Sequence, residues 1–278
     1  MDLYSETAFS TSKLITKKYS TSFSKAVDLL EAEKQDAIYS IYGFVRFADE
    51  VVDTFHQNNK KQLLDDFERN LKSALTEGLS LNPVLHAFSL TIKKYNIDMQ
   101  YVDSFMTSMR ADLNKTDYTT QSELNQYIYG SADVVGLMCL QVFTDGDKNS
   151  FEKLKHPAIK LGSAFQKVNF LRDLKADTEG LHRIYFPQLG SGAFTEEAKK
   201  EIISNIEADF DEARKGIALL PGRSKLAVFL AYSYYKKLLE QLRKTSAEKI
   251  SRTRIRVPDS IKLILLLKAR ISYKFGLI

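Results

Sequence analysis

The chain has no tryptophan, one cysteine, five prolines and twelve glycines in 278 residues. The single cysteine, Cys139 in the apolar run VVGLMCLQVF, excludes an internal disulfide and reads as a small packed hydrophobe, which fits a reducing cytoplasm. Low Gly and Pro usage disfavours turn-dense β architectures and favours long helices, so the expected fold class is all α. No stretch of eighteen apolar residues occurs, which excludes a conventional spanning helix. The N-terminal MDLYSETAFS lacks the basic and apolar regions of a secretory signal. Without a Ser/Gly-rich linker, a change in composition or a repeat, residues 1–278 are expected to form one domain. The net charge is +5. Its lysines and arginines are spread along the chain without a recognition-helix, zinc-finger or RNA-binding signature, so no nucleic-acid partner is expected.

Helical apolar spacing is visible near residues 34–54, 60–76, 84–95, 98–113, 121–143, 150–177, 195–218, 224–245 and 259–275. Pro83, Pro157, Pro187, Pro221 and Pro258 are read as marking helix starts and stops.

Within two of these segments the pattern Asp-x-x-x-Asp recurs, as Asp49 and Asp53 in RFADEVVDTF and as Asp173 and Asp177 in FQKVNFLRDLKAD. A spacing of four stacks both carboxylates of a pair on one helix face, where they repel unless a cation neutralises them. Hard cations such as Mg²⁺ prefer carboxylate oxygens completed by water and substrate phosphates. Tyr42 and Arg46 share the face of the first pair. Gln166 and Asn169 share that of the second, while Phe165, Val168, Leu171 and Leu174 make the rest of that helix apolar, so its polar stripe is expected to face an interior cavity. A solvated face is the alternative for one such pair. Two pairs, each flanked by apolar residues, argue instead for a diphosphate site.

With their flanks, these motifs resemble the squalene and phytoene synthase family, the head-to-head condensing prenyltransferases, over nearly the whole chain. YSTSFSKAV at 19–27 is similar to the N-terminal substrate signature through Ser20, Ser22 and Phe23. YGFVRFADEVVD at 42–53 and LGSAFQKVNFLRDLKAD at 161–177 resemble the two aspartate signatures, the second through Gln166, Asn169, Arg172, Asp173 and Asp177. YIYGSADVVG at 127–136 resembles the central Tyr-rich motif, with Asp133 where many squalene synthases have Gly. MRADL at 109–113 and HRIYFPQ at 182–188 match further segments, and Tyr235 and Arg254 follow from approximate spacing.

The resemblance implies an isoprenoid-synthase-type helical bundle around a deep cavity. Its metal ligands would be Asp49, Asp53, Asn169, Asp173 and Asp177 around Mg²⁺, with Mn²⁺ as a substitute. Tyr42, Arg46, Tyr129 and Arg172 would be catalytic. Ser20, Ser22, Phe23, Gln166, Asn169, Tyr235 and Arg254 would hold prenyl diphosphates. The overall pattern is closest to bacterial carotenoid enzymes, so the expected reaction joins two geranylgeranyl diphosphates into phytoene without NADPH. Squalene or dehydrosqualene synthesis from farnesyl diphosphate is the alternative. A catalytically silent isoprenoid-binding or assembly factor is a further one, against which four retained, mutually repelling carboxylates argue. The basic stretch from Arg252 to Lys274, with its apolar cluster Leu263 to Leu267, is expected to add peripheral contact with the inner face of the membrane, or else to be a last helix packed on the core.

Overall fold

In a computed structural model, residues 1–190 and 194–278 are described. They form thirteen α-helices in the order α1 (Leu3–Tyr19), α2 (Thr21–Val27), α3 (Ala32–Asp53), α4 (Lys60–Glu77), α5 (Pro83–Tyr95), α6 (Met99–Ala111), α7 (Gln121–Ile128), α8 (Val134–Phe143), α9 (Lys148–Lys175), α10 (Glu196–Ile217), α11 (Gly222–Lys244), α12 (Ala247–Ile250) and α13 (Asp259–Lys274). No β-strand occurs among the described residues, where the only bridge joins Asp117 to Ile184. The expected all-α class is what the chain adopts.

Local chemistry sets the helix limits. Ser20 caps α2, Asn82 with Pro83 opens α5, Thr120 and Glu123 form a reciprocal capping box on α7, and Asp147 caps α9. Gly78 closes α4 at φ 80°, a left-handed conformation that costs glycine least. One proline departs from the expected pattern. Pro157 lies inside α9 rather than at an end, with its ring packed on Gly216 of α10. A Cβ on Gly216 would stand 2.3 Å from that of Pro157, so the two helices meet as closely as they do only because position 216 has no side chain.

Two large apolar clusters flank a central cavity. In the first, Phe44 of α3 stacks on Phe88 of α5 at 4.3 Å and on Phe67 of α4 at 5.4 Å. In the second, Phe170 of α9 stacks on Tyr185 at 3.8 Å, and Val168, Leu171 and Phe210 are buried beside them. Aromatic pairs of this kind add about 0.5–1.5 kcal/mol each beyond the area they bury. α9 packs most extensively on α10 and also meets α8 and α11. Its inner face therefore runs along the cavity wall opposite α3.

Candidate active site

The cavity has a volume of about 610 Å³ and is lined by residues of α2, α3, α8, α9, α10 and α11. It follows α9 from Leu154 to Asp173, a distance of about 28 Å at 1.5 Å per residue. One end is apolar, with Leu154, Pro157, Phe143, Ile217 and Leu220. At the other end the four motif aspartates, Asp49 and Asp53 from α3 and Asp173 and Asp177 from α9 and the π-helical turn Ala176–Gly180, line one space.

Their electrostatics record that proximity. Burial, and then the neighbouring Asp53 carboxylate, push Asp49 up to about 7. Burial, then Asp173 and Asp53, push Asp177 up to about 7, so a carboxylate of the first motif acts on one of the second across the cavity. Guanidinium groups hold the other two. Asp53 accepts from Arg183 at 3.1 Å, while Asp173 accepts from Arg172 Nε at 3.0 Å and lies 2.8 Å from Arg254 Nε.

Polar groups around the carboxylates remain available to a ligand. Arg46 stacks on the Tyr19 ring at 4.4 Å and bonds Glu50, leaving its buried Nε without a partner. Asp112 accepts from Tyr127 at 2.7 Å through one oxygen, and its other oxygen is buried and unpaired. Burial pushes Asp112 up to about 6 against the pull of Arg183. Buried polar atoms without partners are uncommon in folded proteins, and here both line the cavity. Tyr42 stacks on Phe23 at 5.1 Å, and burial raises its hydroxyl to about 12. Tyr235 stacks on Phe165 at 4.0 Å and donates to Asn169 at 3.2 Å.

Thirteen residues selected from sequence thus line one cavity: Ser20, Phe23, Tyr42, Arg46, Asp49, Asp53, Gln166, Asn169, Arg172, Asp173, Asp177, Tyr235 and Arg254. Two do not. Ser20, the extended N-cap of α2, lines the cavity, whereas Ser22 in the first turn of that helix is not part of its wall. Tyr129 is 39% exposed and outside the cavity wall, while Tyr127, two residues earlier, is 7% exposed and lines it. A helical step of about 200° separates those two rings, and the close approach of Gly130 to Ser108 of α6 fixes which one turns inward.

Arg183, Asp112, Tyr127 and Tyr185 are cavity residues with polar side chains to which sequence reasoning assigned no role, as are Tyr19 and Ser131. Their segments, YSTSFSKAV, MRADL, YIYGSADVVG and HRIYFPQ, were recognisable, but spacing cannot show that they converge. Phe165 also lines the cavity, against the expectation that it faced away.

Helix α3 on one wall, and α9 with the π-helical turn after it on the other, bring two aspartate pairs to one end of a cavity within an isoprenoid-synthase-type helical bundle. The chain belongs to the squalene/phytoene synthase family, whose model matches residues 16–260; this is a family of prenyltransferase-type enzymes. It is 31% identical over 246 residues to a chloroplastic phytoene synthase 2 of Oryza sativa subsp. japonica, covering 82% of this chain and 61% of that protein. A second relative, chloroplastic phytoene synthase 1 of Solanum lycopersicum, is 28% identical over 270 residues, covering 91% of this chain and 65% of its own length. The chain therefore spans less than two thirds of either relative. Among solved structures, a dehydrosqualene synthase in complex with a ligand superimposes with a TM-score of 0.84 at 24% identity, over 97% of this chain and 98% of that one. A squalene synthase from Alicyclobacillus acidocaldarius gives 0.77 at 24% identity, over 88% and 96%. These two likenesses speak for the fold.

Proposed function

We propose that this protein is a Mg²⁺-dependent phytoene synthase that condenses two molecules of geranylgeranyl diphosphate head to head. The observation that carries the reading is the pairing of four aspartates at one end of a cavity whose other end is apolar, which matches a ligand with a diphosphate head and a long hydrocarbon tail. The likeness to phytoene synthases near 30% identity supports the choice of product.

The donor set fits Mg²⁺. Among the described residues no three acidic, His or Cys side chains converge into a ready-made cage. Two carboxylate pairs on facing walls suit an ion that keeps much of its water and takes its remaining ligands from substrate phosphates. Asp49, Asp53, Asp173 and Asp177, with Asn169, would hold it, and once bound it would supply charge neutralisation for the departing diphosphate.

The chain's own groups account for the rest. Arg46, through its free Nε, and Arg172 and Arg254 bind the diphosphate oxygens and stabilise charge as the C1–O bond of one allylic diphosphate breaks. The double bond of the second substrate then joins that C1, with loss of a proton, and gives a cyclopropylcarbinyl diphosphate. Ionisation of this intermediate, rearrangement and loss of a second proton complete phytoene, so the reaction needs no hydride from NADPH. Phe165, Tyr235, Phe23 and Tyr42 line the cavity with ring faces that exclude water from the cations. Ser20 and Gln166 place further hydrogen-bonding groups on the wall.

The test is mass analysis of products formed by the purified protein with Mg²⁺ and either geranylgeranyl or farnesyl diphosphate, with and without NADPH. Phytoene from the C20 substrate, unaffected by NADPH, is the expected result. Dehydrosqualene or squalene from the C15 substrate as the main product overturns it in favour of the alternative, and absence of any product favours a silent binding protein.

A further inference from the structure

Helix α13 is apolar on two opposite sides, and the described structure covers one of them. Ala269 is 1% exposed, and Leu265, Leu266 and Tyr273 are half-buried against the first core cluster, on the side where α13 meets α11. The reverse side carries Leu263, Ile264, Leu267, Ile271 and Phe275, which fall within a stripe about 120° wide when the helix is counted at 100° per residue. These five are between 46% and 70% exposed. The apolar cluster legible in the sequence thus splits: two of its leucines serve the core and the others do not.

The charges around the stripe select its occupant. Lys268 and Arg270 border it on either side and Lys274 lies in its last turn, all exposed. The one acid of the helix, Asp259, is bonded to Lys262 at 3.0 Å. Two copies of this face set together would oppose basic residues with no acid to answer them. An anionic surface of low polarity answers both features, since apolar side chains enter it while Lys and Arg stems reach back to its charged groups.

Position adds a second argument. Arg254, four residues before Pro258 and α13, lines the cavity and bonds Asp173. Lys25 of α2 lies close enough to Asp259 to help hold its carboxyl below the usual range, after Lys262, and α2 also carries the cavity residue Phe23. The start of α13 therefore adjoins the polar end of the cavity. We propose that the outer face of α13 is a docking surface for an anionic lipid bilayer, on which the protein sits reversibly with the polar end of its cavity near the headgroups. Among the described residues no helix is long and apolar enough to cross a membrane, so the contact is one that lies on the surface.

Cosedimentation of the full chain with vesicles of phosphatidylcholine, alone or mixed with phosphatidylglycerol, tests this at low and high NaCl. Binding is expected to the mixed vesicles only, and to weaken at least about tenfold in high salt. The double variants Leu267→Glu/Ile271→Glu and Lys268→Ser/Arg270→Ser should each lose binding by a similar factor, about tenfold, while their turnover of detergent-dispersed substrate stays unchanged. Three results overturn the proposal. They are absence of binding to mixed vesicles at low salt, equal binding to neutral vesicles, and, by sedimentation velocity without lipid, a dimer that the Leu267→Glu/Ile271→Glu variant dissolves. The last would assign the face to a second copy of the chain.

Discussion

Arg183 donates from Nη1 to Asp53 Oδ1 at 3.1 Å, across 130 residues of sequence. Its Nη2 donates to the carbonyl oxygen of Asp112 at 3.0 Å, and its side chain is 7% exposed. One buried guanidinium thus ties the first aspartate motif on α3 to the end of α6, and it reaches there from the extended segment that follows the second motif. That segment is itself anchored, because Ile184 exchanges backbone hydrogen bonds with Thr116 and Tyr118 at 2.8 and 3.1 Å. The two aspartate-bearing walls of the cavity are tied together by a residue that belongs to neither aspartate motif.

Arg183→Gln should therefore lower turnover by about one to two orders of magnitude and raise the Mg²⁺ concentration needed for half-maximal rate, because Asp53 loses its orientation. Hydrogen bonds to charged groups contribute about 1.5–3 kcal/mol each, and the partial exposure of Asp53 places the stability loss at the lower end of that range. Arg183→Lys should recover part of the rate. An unchanged Mg²⁺ dependence in both variants would show that Arg183 serves the fold alone.

The two tyrosines of the central motif give a sharper contrast. Tyr127→Phe removes the hydroxyl that donates to Asp112 inside the cavity and should slow the reaction about tenfold or more, in the range of a lost positioning contact. Tyr129→Phe should leave turnover within about twofold, as exposed substitutions generally do. Steady-state rates of the two variants, measured side by side, decide between the rings, and a larger loss at Tyr129 would restore the assignment made from sequence.

That pair shows where sequence reasoning stops. The aspartate motifs were legible because helical periodicity puts Asp49 with Asp53 on one side of α3 and aligns Asp173 with Gln166 and Asn169 on α9, although Asp177 falls on the π-helical turn that follows. The same rule cannot tell Tyr127 from Tyr129, since the choice depends on how near α6 comes to Gly130, a tertiary fact. Pro157 was misplaced for a related reason: its packing partner, Gly216, lies on another helix. The N-terminal region was recognised through Ser20, Ser22 and Phe23, and its two helices α1 and α2 were not read from apolar spacing.

Asp53→Asn and Asp173→Asn should each reduce turnover at least about a hundredfold, if the carboxylates hold the metal that neutralises the leaving group. Far-UV circular dichroism should stay as in the parent, because the substitutions keep side-chain volume. Rates within tenfold of the parent for both variants would remove these residues from the metal site.

Asp133 supplies a pH dependence of defined sign. It is 4% exposed on the π-helical turn Tyr129–Asp133, accepts from Ser163 at 2.8 Å and faces Lys160, Lys167 and Asp209. Burial pushes it up to about 7, and neither the Ser163 hydroxyl nor the two lysines, which Asp209 already engages at 2.9 and 2.6 Å, offset that cost. A carboxyl raised on folding binds its proton more tightly in the native state than in the unfolded one. Its contribution is therefore fully present below the unfolded value near 4 and is lost as pH rises through about 7. Asp49 and Asp177 share this sign, so the denaturant midpoint of the metal-free protein should fall between pH 5 and pH 8. Asp133→Asn removes one titrating group while keeping the hydroxyl partner, and it should flatten the slope and stabilise the protein at pH 8 relative to the parent. Urea unfolding at several pH values measures both quantities, and an unchanged slope in the variant would mean that Asp133 is ionised in the folded protein throughout this range.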